Sequence, residues 1–369
     1  MKVSFANLAP AREILLSWMG DEFQESGIAF MHYGDDVIIV GYNYSGTPQM
    51  LAITIDTYDF QPFKPFLLGR DESELLLERS IYSGIHQMTD RTNLANVREI
   101  IFSGIGSELV TEPMAPPAHT ELPVANEPPL VWLNALDFEK VCKQFGGFSN
   151  GENATPWGLR WETNEELRDL RIVGGHDSMI ASMRMAPTQI SGQGSCQCHI
   201  PPQEIAELLI ASGSRQVGIS PGVIRSGHYE WTRIPESELP PFERVIEKAT
   251  LYDYLVNRFS FDSLRAVFGY AQTGSARILF QVSKSKMGQL ISVEANGTII
   301  RQVSGSAFNN ETAEVSLIFD RNWLNQAFEI LDPYRTIEVM VKTSADPVWL
   351  RVEGMADYFV IIAPMVPQP

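Results

Sequence analysis

The amino-acid sequence predicts an α+β protein made of three consecutive units, each with two helices packed on antiparallel sheets. Two observations support this prediction. An amphipathic helix followed by strands of period two recurs along the chain. Proline-rich breaks separate three stretches of similar length, and 369 residues suffice for two or three domains of about 100–200 residues each. The predicted divisions are 1–115, a linker at 116–130, 131–245 and 246–369.

The first boundary lies in a proline-rich stretch at 112–130. Few apolar residues separate its prolines, which are Pro113, Pro116, Pro117, Pro123, Pro128 and Pro129. Proline fixes φ and cannot donate a backbone hydrogen bond, so this stretch is predicted to be an extended linker. A second interruption near 235–258 contains Pro235, Pro240 and Pro241.

Each unit opens with a candidate amphipathic helix. Apolar residues recur at helical spacing in three sets, which are Leu8, Ile14, Leu15 and Trp18; Leu136, Phe138, Val141, Cys142 and Phe145; and Phe261, Leu264, Val267 and Phe268. Asn134 and Ser260 precede the second and third sets, where their side chains suit helix N-caps. Further helices are predicted near 71–83, at 201–212 and at 320–331. Any α+β protein contains several such helices, so spacing alone leaves the repeat open.

Period-two alternation predicts strands between these helices. It occurs at 276–282, 289–293, 337–342 and 348–352. Asp35-Asp36 stands between two runs of alternating apolar residues and predicts a hairpin turn.

Composition limits the classes of function. The formal net charge is −17, which argues against simple wrapping by nucleic acid, although a basic lining inside an acidic shell stays compatible with it. The three cysteines, Cys142, Cys196 and Cys198, fit a reducing cytosol better than a disulfide scaffold. No signal peptide and no run of about 18 apolar residues is present, so we expect a cytoplasmic protein without a membrane partner.

Two motifs with the residue types of catalysis have the wrong arrangement for it. Residues 174–178 (Gly-Gly-His-Asp-Ser) contain the types of a hydrolase triad, but such near neighbours cannot meet as nucleophile, base and orienting group. Residues 103–107 (Ser-Gly-Ile-Gly-Ser) lack the Lys-Ser/Thr pair of a phosphate-binding loop. We therefore predict that the protein is not an enzyme and uses no cofactor.

Residues 196–199 (Cys-Gln-Cys-His) are the candidate metal cluster. A Cys-x-Cys-His sequence has the ligand types of a zinc site. No second ligand pair stands at suitable spacing, and adjacent residues of a strand point to opposite faces. We interpret the segment as a strand with two thiols and predict no metal.

Several segments follow one another in the order of a known family. Residues 170–181 (LRIVGGHDSMIA) resemble a strand-turn-strand usually written LRxVATDGHRLA, and 199–208 resemble the start of a second helix. Residues 231–245 resemble a strand ending in FPDYERV, 346–352 resemble SSPxLIRP, and the tail from 357 resembles YLYxIMPMRL. Together they resemble the bacterial-type DNA sliding clamp, the DNA polymerase III beta subunit family, of which the chain looks like a divergent member.

This resemblance implies a ring made of two head-to-tail protomers, with three clamp-like domains in each. Sheets would lie outside, and helices would line a hole for duplex DNA. The implied function is that of a sliding clamp and polymerase processivity factor, which encircles DNA without sequence preference and binds DNA polymerase and a clamp loader through short peptide motifs. The alternative is a clamp-fold scaffold or interaction protein that does not encircle DNA.

The resemblance also implies a partner-peptide groove between the second and third units. The lining residues would be Pro156, Gly175, Asp177, Met179, Ile180, Pro240, Arg244, Val245, Ile361, Ala363, Pro364, Met365 and Val366. Methionine and small aliphatic side chains form an adaptable apolar surface that suits several peptides. The alternative is that Ile180, Val245 and Ile361 belong to an ordinary core.

A second implied set faces DNA. It consists of Arg12, Lys140, Lys143, Arg265 and Arg321, each on a predicted helix. Their cations would contact phosphates without reading sequence. The alternative is that they lie on solvated helix faces with their stems along apolar surface. Where the family has a basic pair at the start of the second helix of unit two, this chain has Pro202-Gln203.

Overall fold

The computed structural model describes most of the chain in segments. The described residues are 1–18, 27–43, 49–80, 84–104, 107–116, 128–146, 157–163, 168–176, 178–198, 202–233, 254–269, 277–282, 287–293, 299–307, 313–319, 321–331, 335–355 and 358–364. They form two compact units that differ from the three predicted ones. From here on, the first unit is residues 1–142 with 187–238, and the second unit is residues 143–186 with 239–369. The division into three domains stays a prediction.

The helices follow the predicted positions. In the described residues they are a 3-10 helix at Ala6–Ala11, α1 (Arg12–Trp18), α2 (Arg70–Ser80), α3 (Ala135–Phe145), α4 (Pro202–Ser212), α5 (Phe261–Gly269) and α6 (Arg321–Ile330). The Asn134 side chain accepts hydrogen bonds from the backbone nitrogens of Leu136 and Asp137, at 2.9 and 3.3 Å. Ser260 Oγ accepts one from the Ser263 nitrogen at 3.2 Å. Both residues therefore cap helices as the sequence predicts.

The first helix differs from its prediction in its opening turns. Residues 6–11 form a 3-10 helix that contains Pro10, and regular α-helix begins only at Arg12. Proline has no backbone N–H to donate, and tighter 3-10 turns are frequent at the N-termini of helices.

The strands alternate with these helices along the chain. They are β1 (Lys2–Ser4), β2 (Ile28–Tyr33), β3 (Asp36–Asn43), β4 (Gln49–Tyr58), β5 (Phe66–Leu68), β6 (Ile85–Thr92), β7 (Arg98–Gly104), β8 (Ser107–Thr111), β9 (Val131–Asn134), β10 (Trp157–Thr163), β11 (Arg168–His176), β12 (Met179–Met185), β13 (Gln189–Ile190), β14 (Gly194–Cys198), β15 (Gln216–Ser220), β16 (Val223–Ser226), β17 (Tyr229–Arg233), β18 (Leu255–Ser260), β19 (Arg277–Val282), β20 (Met287–Val293), β21 (Ile299–Ala307), β22 (Ala313–Ile318), β23 (Thr336–Val341), β24 (Val348–Val352) and β25 (Phe359–Ile362).

The first unit contains one antiparallel sheet. Its main path is β13-β9-β15-β16-β17-β4-β1-β6-β7-β8, and β3, β2 and β5 extend from β4. Tyr33 pairs with Asp36 across a turn, which confirms the predicted hairpin. Phe30 stacks on Phe66 with ring centroids 4.8 Å apart in the core of this unit.

The second unit contains another antiparallel sheet. Its strands follow the order β10-β11-β12-β25-β24-β23-β18-β21-β20-β19-β22. β25, close to the end of the chain, lies in the middle of this sheet and pairs with β12 and β24. All four of its residues are buried. Helices on antiparallel sheets throughout the described residues confirm the predicted α+β class.

Two kinds of site are absent from the described residues. No helix among them is both long enough and apolar enough to cross a lipid bilayer. No group of three or more His, Cys, Asp or Glu side chains in the described part of the chain is placed to hold a metal ion.

Candidate functional site

The candidate site lies where β25 joins β12 in the second unit. Ile180 pairs with Ile361, and Met179 pairs with Ile362. The Ala363 nitrogen donates to the Ser178 carbonyl oxygen at 2.8 Å, which continues the pairing one residue past the strand. The predicted groove residues of β12 and of the tail are therefore neighbours, although about 180 positions separate them in the sequence.

One face of this sheet packs on helices. A Cβ on Gly174 would lie 3.4 Å from ring atoms of Phe145, the last residue of α3. Helix α6 packs against β12 and β25. Met179 lies on this face, because it pairs with Ile362 and strand residues alternate between faces.

The opposite face carries an apolar cluster. Its buried members are Val173, Ile180, Tyr254, Met340, Trp349, Phe359 and Ile361. The rings of Trp349 and Phe359 lie 5.0 Å apart. Trp349 pairs directly with Ile361, which in turn pairs with Ile180. Three strands thus place their apolar side chains in one row.

Gly175 is required by the close approach of two strands. It pairs with Ile180, and a Cβ at this position would lie 2.7 Å from the Met179 carbonyl oxygen and 3.0 Å from the Ile180 Cα. A backbone atom cannot move aside as a side chain can, so glycine alone fits here without displacement of the β11–β12 hairpin.

The structure brings part of the predicted groove together. Gly175, Ile180 and Ile361 share the cluster face, and Ala363 and Pro364 follow them, half-buried. Met179 is buried on the helix face instead. Seven other members lie outside the described residues, namely Pro156, Asp177, Pro240, Arg244, Val245, Met365 and Val366. The groove as a whole stays a prediction.

Tyr358 connects this strand to two helices. Its hydroxyl donates to the carbonyl oxygen of Ile330, the last residue of α6, and accepts a hydrogen bond from the Gln144 side chain of α3 at 3.3 Å. Carbonyls at the C-terminus of a helix lack partners within the helix. The Tyr358 hydroxyl supplies one, directly before β25 begins.

We expect Tyr358→Phe to lower the free energy of unfolding by about 1–2 kcal/mol, because a buried carbonyl loses its donor while the ring packing is kept. Hydrogen exchange should rise at the Ala363 amide, which depends on the position of β25. Tyr229→Phe is the matched control, since it removes a hydroxyl that donates to the Asn7 carbonyl oxygen in the first unit. Equal exchange at Ala363 in all three proteins would contradict the assigned role.

Two buried carboxylates in the second unit each bind two arginines. Glu338 accepts from Arg258 at 3.1 Å and from Arg351 at 2.6 Å. Asp169 accepts from Arg171 at 2.6 Å and lies 3.0 Å from the Nε of Arg184. Arg258 and Arg351 are the direct cross-strand neighbours of Glu338. Arg171 lies on the same strand as Asp169, and Arg184 lies opposite Arg171 on the next strand.

The predicted DNA-facing residues all lie in helices. Arg12 begins α1, Lys140 and Lys143 lie in α3, Arg265 lies in α5, and Arg321 begins α6 with its side chain outside the described part. Arg12 pairs with Glu13 on its own helix. Lys140, Lys143 and Arg265 are exposed. Their contact with DNA stays a prediction.

Helix α4 carries an unusual carboxylate. Burial, and secondarily the neighbouring charge of Glu207, raise the pKa of Glu204 to about 7. Helix α4 packs against the 3-10 helix, whose residues are all uncharged. Glu204 is therefore only partly ionised at neutral pH.

The cysteine segment forms a strand. Cys196 and Cys198 lie in β14, both buried, and His199 lies outside the described residues. Burial, together with the charge of Glu139, raises the pKa of the third thiol, Cys142, far above its usual range, so this side chain acts as a small apolar group.

The fold is that of the bacterial DNA sliding clamp. The chain is similar over 99% of both lengths to a putative DNA polymerase III beta subunit from Eubacterium rectale, with a TM-score of 0.69 and 14% identity. It is similar to the beta subunit from Thermotoga maritima over 100% of both chains, with a TM-score of 0.66 and 15% identity. The sliding clamp from Bacillus subtilis gives a TM-score of 0.69 at 12% identity, over 100% of this chain and 99% of that one. No protein-family model and no curated protein sequence matches the chain.

Sequence reasoning missed three residues that organise the site. Trp349, Tyr358 and Glu338 were within predicted strands or the tail, but pattern alone did not assign them contacts. For Trp349 a signal existed: alternation in 348–352 places Trp349 and Arg351 on one face, opposite Val348, Leu350 and Val352.

Proposed function

We propose that this protein is a DNA sliding clamp, a polymerase processivity factor that encircles duplex DNA as a head-to-tail homodimer. One observation carries the proposal: the likeness to clamps extends over essentially the whole of both chains, with no part of this chain left over. A protein that had kept one domain for another purpose would match over part of its length. The proposed role is non-catalytic and cytoplasmic.

The sheet edges support ring closure. Among the described strands, β8 ends the sheet of the first unit and β22 ends the sheet of the second. Val110 in β8 is 49% exposed. Edge strands with free backbone groups are templates for pairing with another chain. In the proposed ring, β8 of one protomer pairs with β22 of its partner, and the same contact recurs at the second interface.

The partner groove is proposed on the face of Ile180 and Ile361. These side chains and Trp349 would form its floor, and Ala363 and Pro364 would form its rim. This face is opposite to α3 and α6, so a peptide bound here would not compete with DNA in the hole. A clamp of the same fold from Pseudomonas aeruginosa was solved with griselimycin bound. In the proposed role, the groove receives short peptides of DNA polymerase and of the clamp loader.

Two measurements test the ring. Sedimentation at micromolar concentration should give a dimer, and a persistent monomer would contradict the proposal. Protein loaded on nicked circular DNA, with a clamp loader and ATP, should stay with the DNA in gel filtration and leave it once the circle is cut. Loss from intact and cut DNA alike would favour the alternative, a clamp-fold scaffold that does not encircle DNA.

Deletion of residues 363–369 tests the groove. It removes the rim at a chain end, so we expect peptide binding to be lost while the protein remains folded and dimeric. Peptides from the C-termini of replicative polymerases, labelled for fluorescence anisotropy, are the probes. Unchanged binding by the deleted protein would place the groove elsewhere.

A further inference from the structure

The helices that the structure describes contain more acidic than basic residues. These six α-helices have seven Lys or Arg and eleven Asp or Glu residues, a net charge of −4. Helices α2 and α4 account for it, with −2 each, and α4 has no basic residue. Duplex DNA carries one negative charge per about 1.7 Å of its axis, so such helices repel it.

Several helix cations are paired with carboxylates of their own helix. Arg12 pairs with Glu13, and Arg70 Nε lies 3.0 Å from Glu74 Oε1. Lys140 Nζ lies 3.9 Å from Asp137 Oδ1, with both side chains well exposed. These pairs reduce the charge that each cation can offer to a phosphate, since its field is partly cancelled at short range.

The solvent-facing stripe of α4 shows the effect most clearly. Gln203, Glu207 and Ile210 are exposed and lie at i, i+4 and i+7, on one side of the helix. A neutral amide, a carboxylate and an apolar side chain offer a phosphate no cation. Glu204 adds a partial negative charge beside them at neutral pH.

We infer that the described helices give DNA no net electrostatic attraction, so that the proposed ring would hold its DNA by topology alone. The inference rests on the proposed function, since it concerns the surface that would face the hole. Basic residues such as Lys143 and Arg265 are outnumbered by carboxylates on the same set of helices. Added salt should screen repulsion here instead of breaking attractive contacts.

Binding to linear DNA tests this inference directly. Fluorescence anisotropy with a short linear duplex should detect no binding at micromolar protein in about 50 mM salt, where phosphate-gripping proteins bind most tightly. If binding occurs, its salt dependence decides the outcome. When the logarithm of the association constant falls with log[salt] at a slope steeper than about −2, at least two phosphate contacts exist and the inference is overturned.

A pair of matched variants locates the effect. Glu78→Lys with Glu207→Lys changes exposed residues on α2 and α4, and should create salt-sensitive binding to the linear duplex. Asp36→Lys with Asp56→Lys is the control with the same change of charge. Asp36 and Asp56 are exposed cross-strand neighbours. They lie on the face of the sheet that points away from helix α1, because Gly41, on the other face, lies against Leu15 of α1. Equal gains in both variants would overturn the inference, because the helices would then have no special relation to DNA.

The two DNA experiments together distinguish a failure of this inference from a failure of the proposed function. Retention on nicked circles with no affinity for linear DNA supports both. Retention on circles with steep salt dependence on linear DNA overturns only the inference. Absence of retention on circles refutes the clamp itself. Far-ultraviolet circular dichroism confirms that each variant is folded.

Discussion

Trp349→Ala is expected to lower the free energy of unfolding by about 3–5 kcal/mol, the cost of removing a large aromatic side chain from a packed core. Trp349 is 5% exposed and lies between Phe359, Ile361 and Met340 in the apolar cluster of the second unit. A cavity of this size leaves Ile361 without one of its two cross-strand partners, so the loss includes packing as well as transfer from water.

Urea unfolding followed by circular dichroism measures this loss. Trp349→Phe is the control, because it keeps an aromatic ring and should lose clearly less stability. The same variants connect stability to function: if the cluster is the floor of the groove, Trp349→Ala should weaken peptide binding while the protein is still folded. A loss below about 1 kcal/mol, the range of exposed sites, would mean that Trp349 is not packed as described.

Glu338→Leu is expected to lower the free energy of unfolding by about 3 kcal/mol, because it leaves arginines partly buried without their carboxylate. Glu338 is 5% exposed and binds Arg258 and Arg351. Arg258 keeps a second partner, Glu353, at 2.8 Å, so Arg351 is the side chain left most clearly unpaired.

The double variant Glu338→Leu with Arg351→Leu is the decisive comparison. Replacing both members of a buried ion pair by apolar residues is often neutral, whereas removing one member is not. The double variant should therefore recover most of the stability lost in the single one. If the loss in the double variant equals the sum of the losses in Glu338→Leu and Arg351→Leu alone, the carboxylate and the guanidinium are not coupled.

The sequence alone was sufficient for the positions of the helices and of several strands. Asn134 and Ser260 marked two helix starts, because a capping oxygen immediately before an apolar stripe acts locally. The hairpin at Asp35-Asp36 was predicted from a polar turn between alternating runs. The 3-10 opening of the first helix was missed, since Pro10 stands within an otherwise helical spacing.

The candidate site was predictable only in outline. Resemblance brought Gly175, Ile180 and Ile361 into one set, and the structure places them on one face. The same set included Met179, which alternation along β12 places on the face opposite to Ile180. Which of the two shares a face with Ile361 depends on the register between β12 and β25, and a register is set by pairing across the sheet.

The amino-acid sequence by itself determined where most of the described helices and several strands of this protein lie, how acidic each of those helices is, and which segments resemble a clamp. These properties depend on residues close together in the chain. Only the tertiary structure decided that Trp349 packs beside Ile361, that Glu338 binds two arginines, and that Tyr358 reaches Gln144, 214 positions away. Such contacts follow from the order of strands in a sheet, and many orders are compatible with the same local pattern.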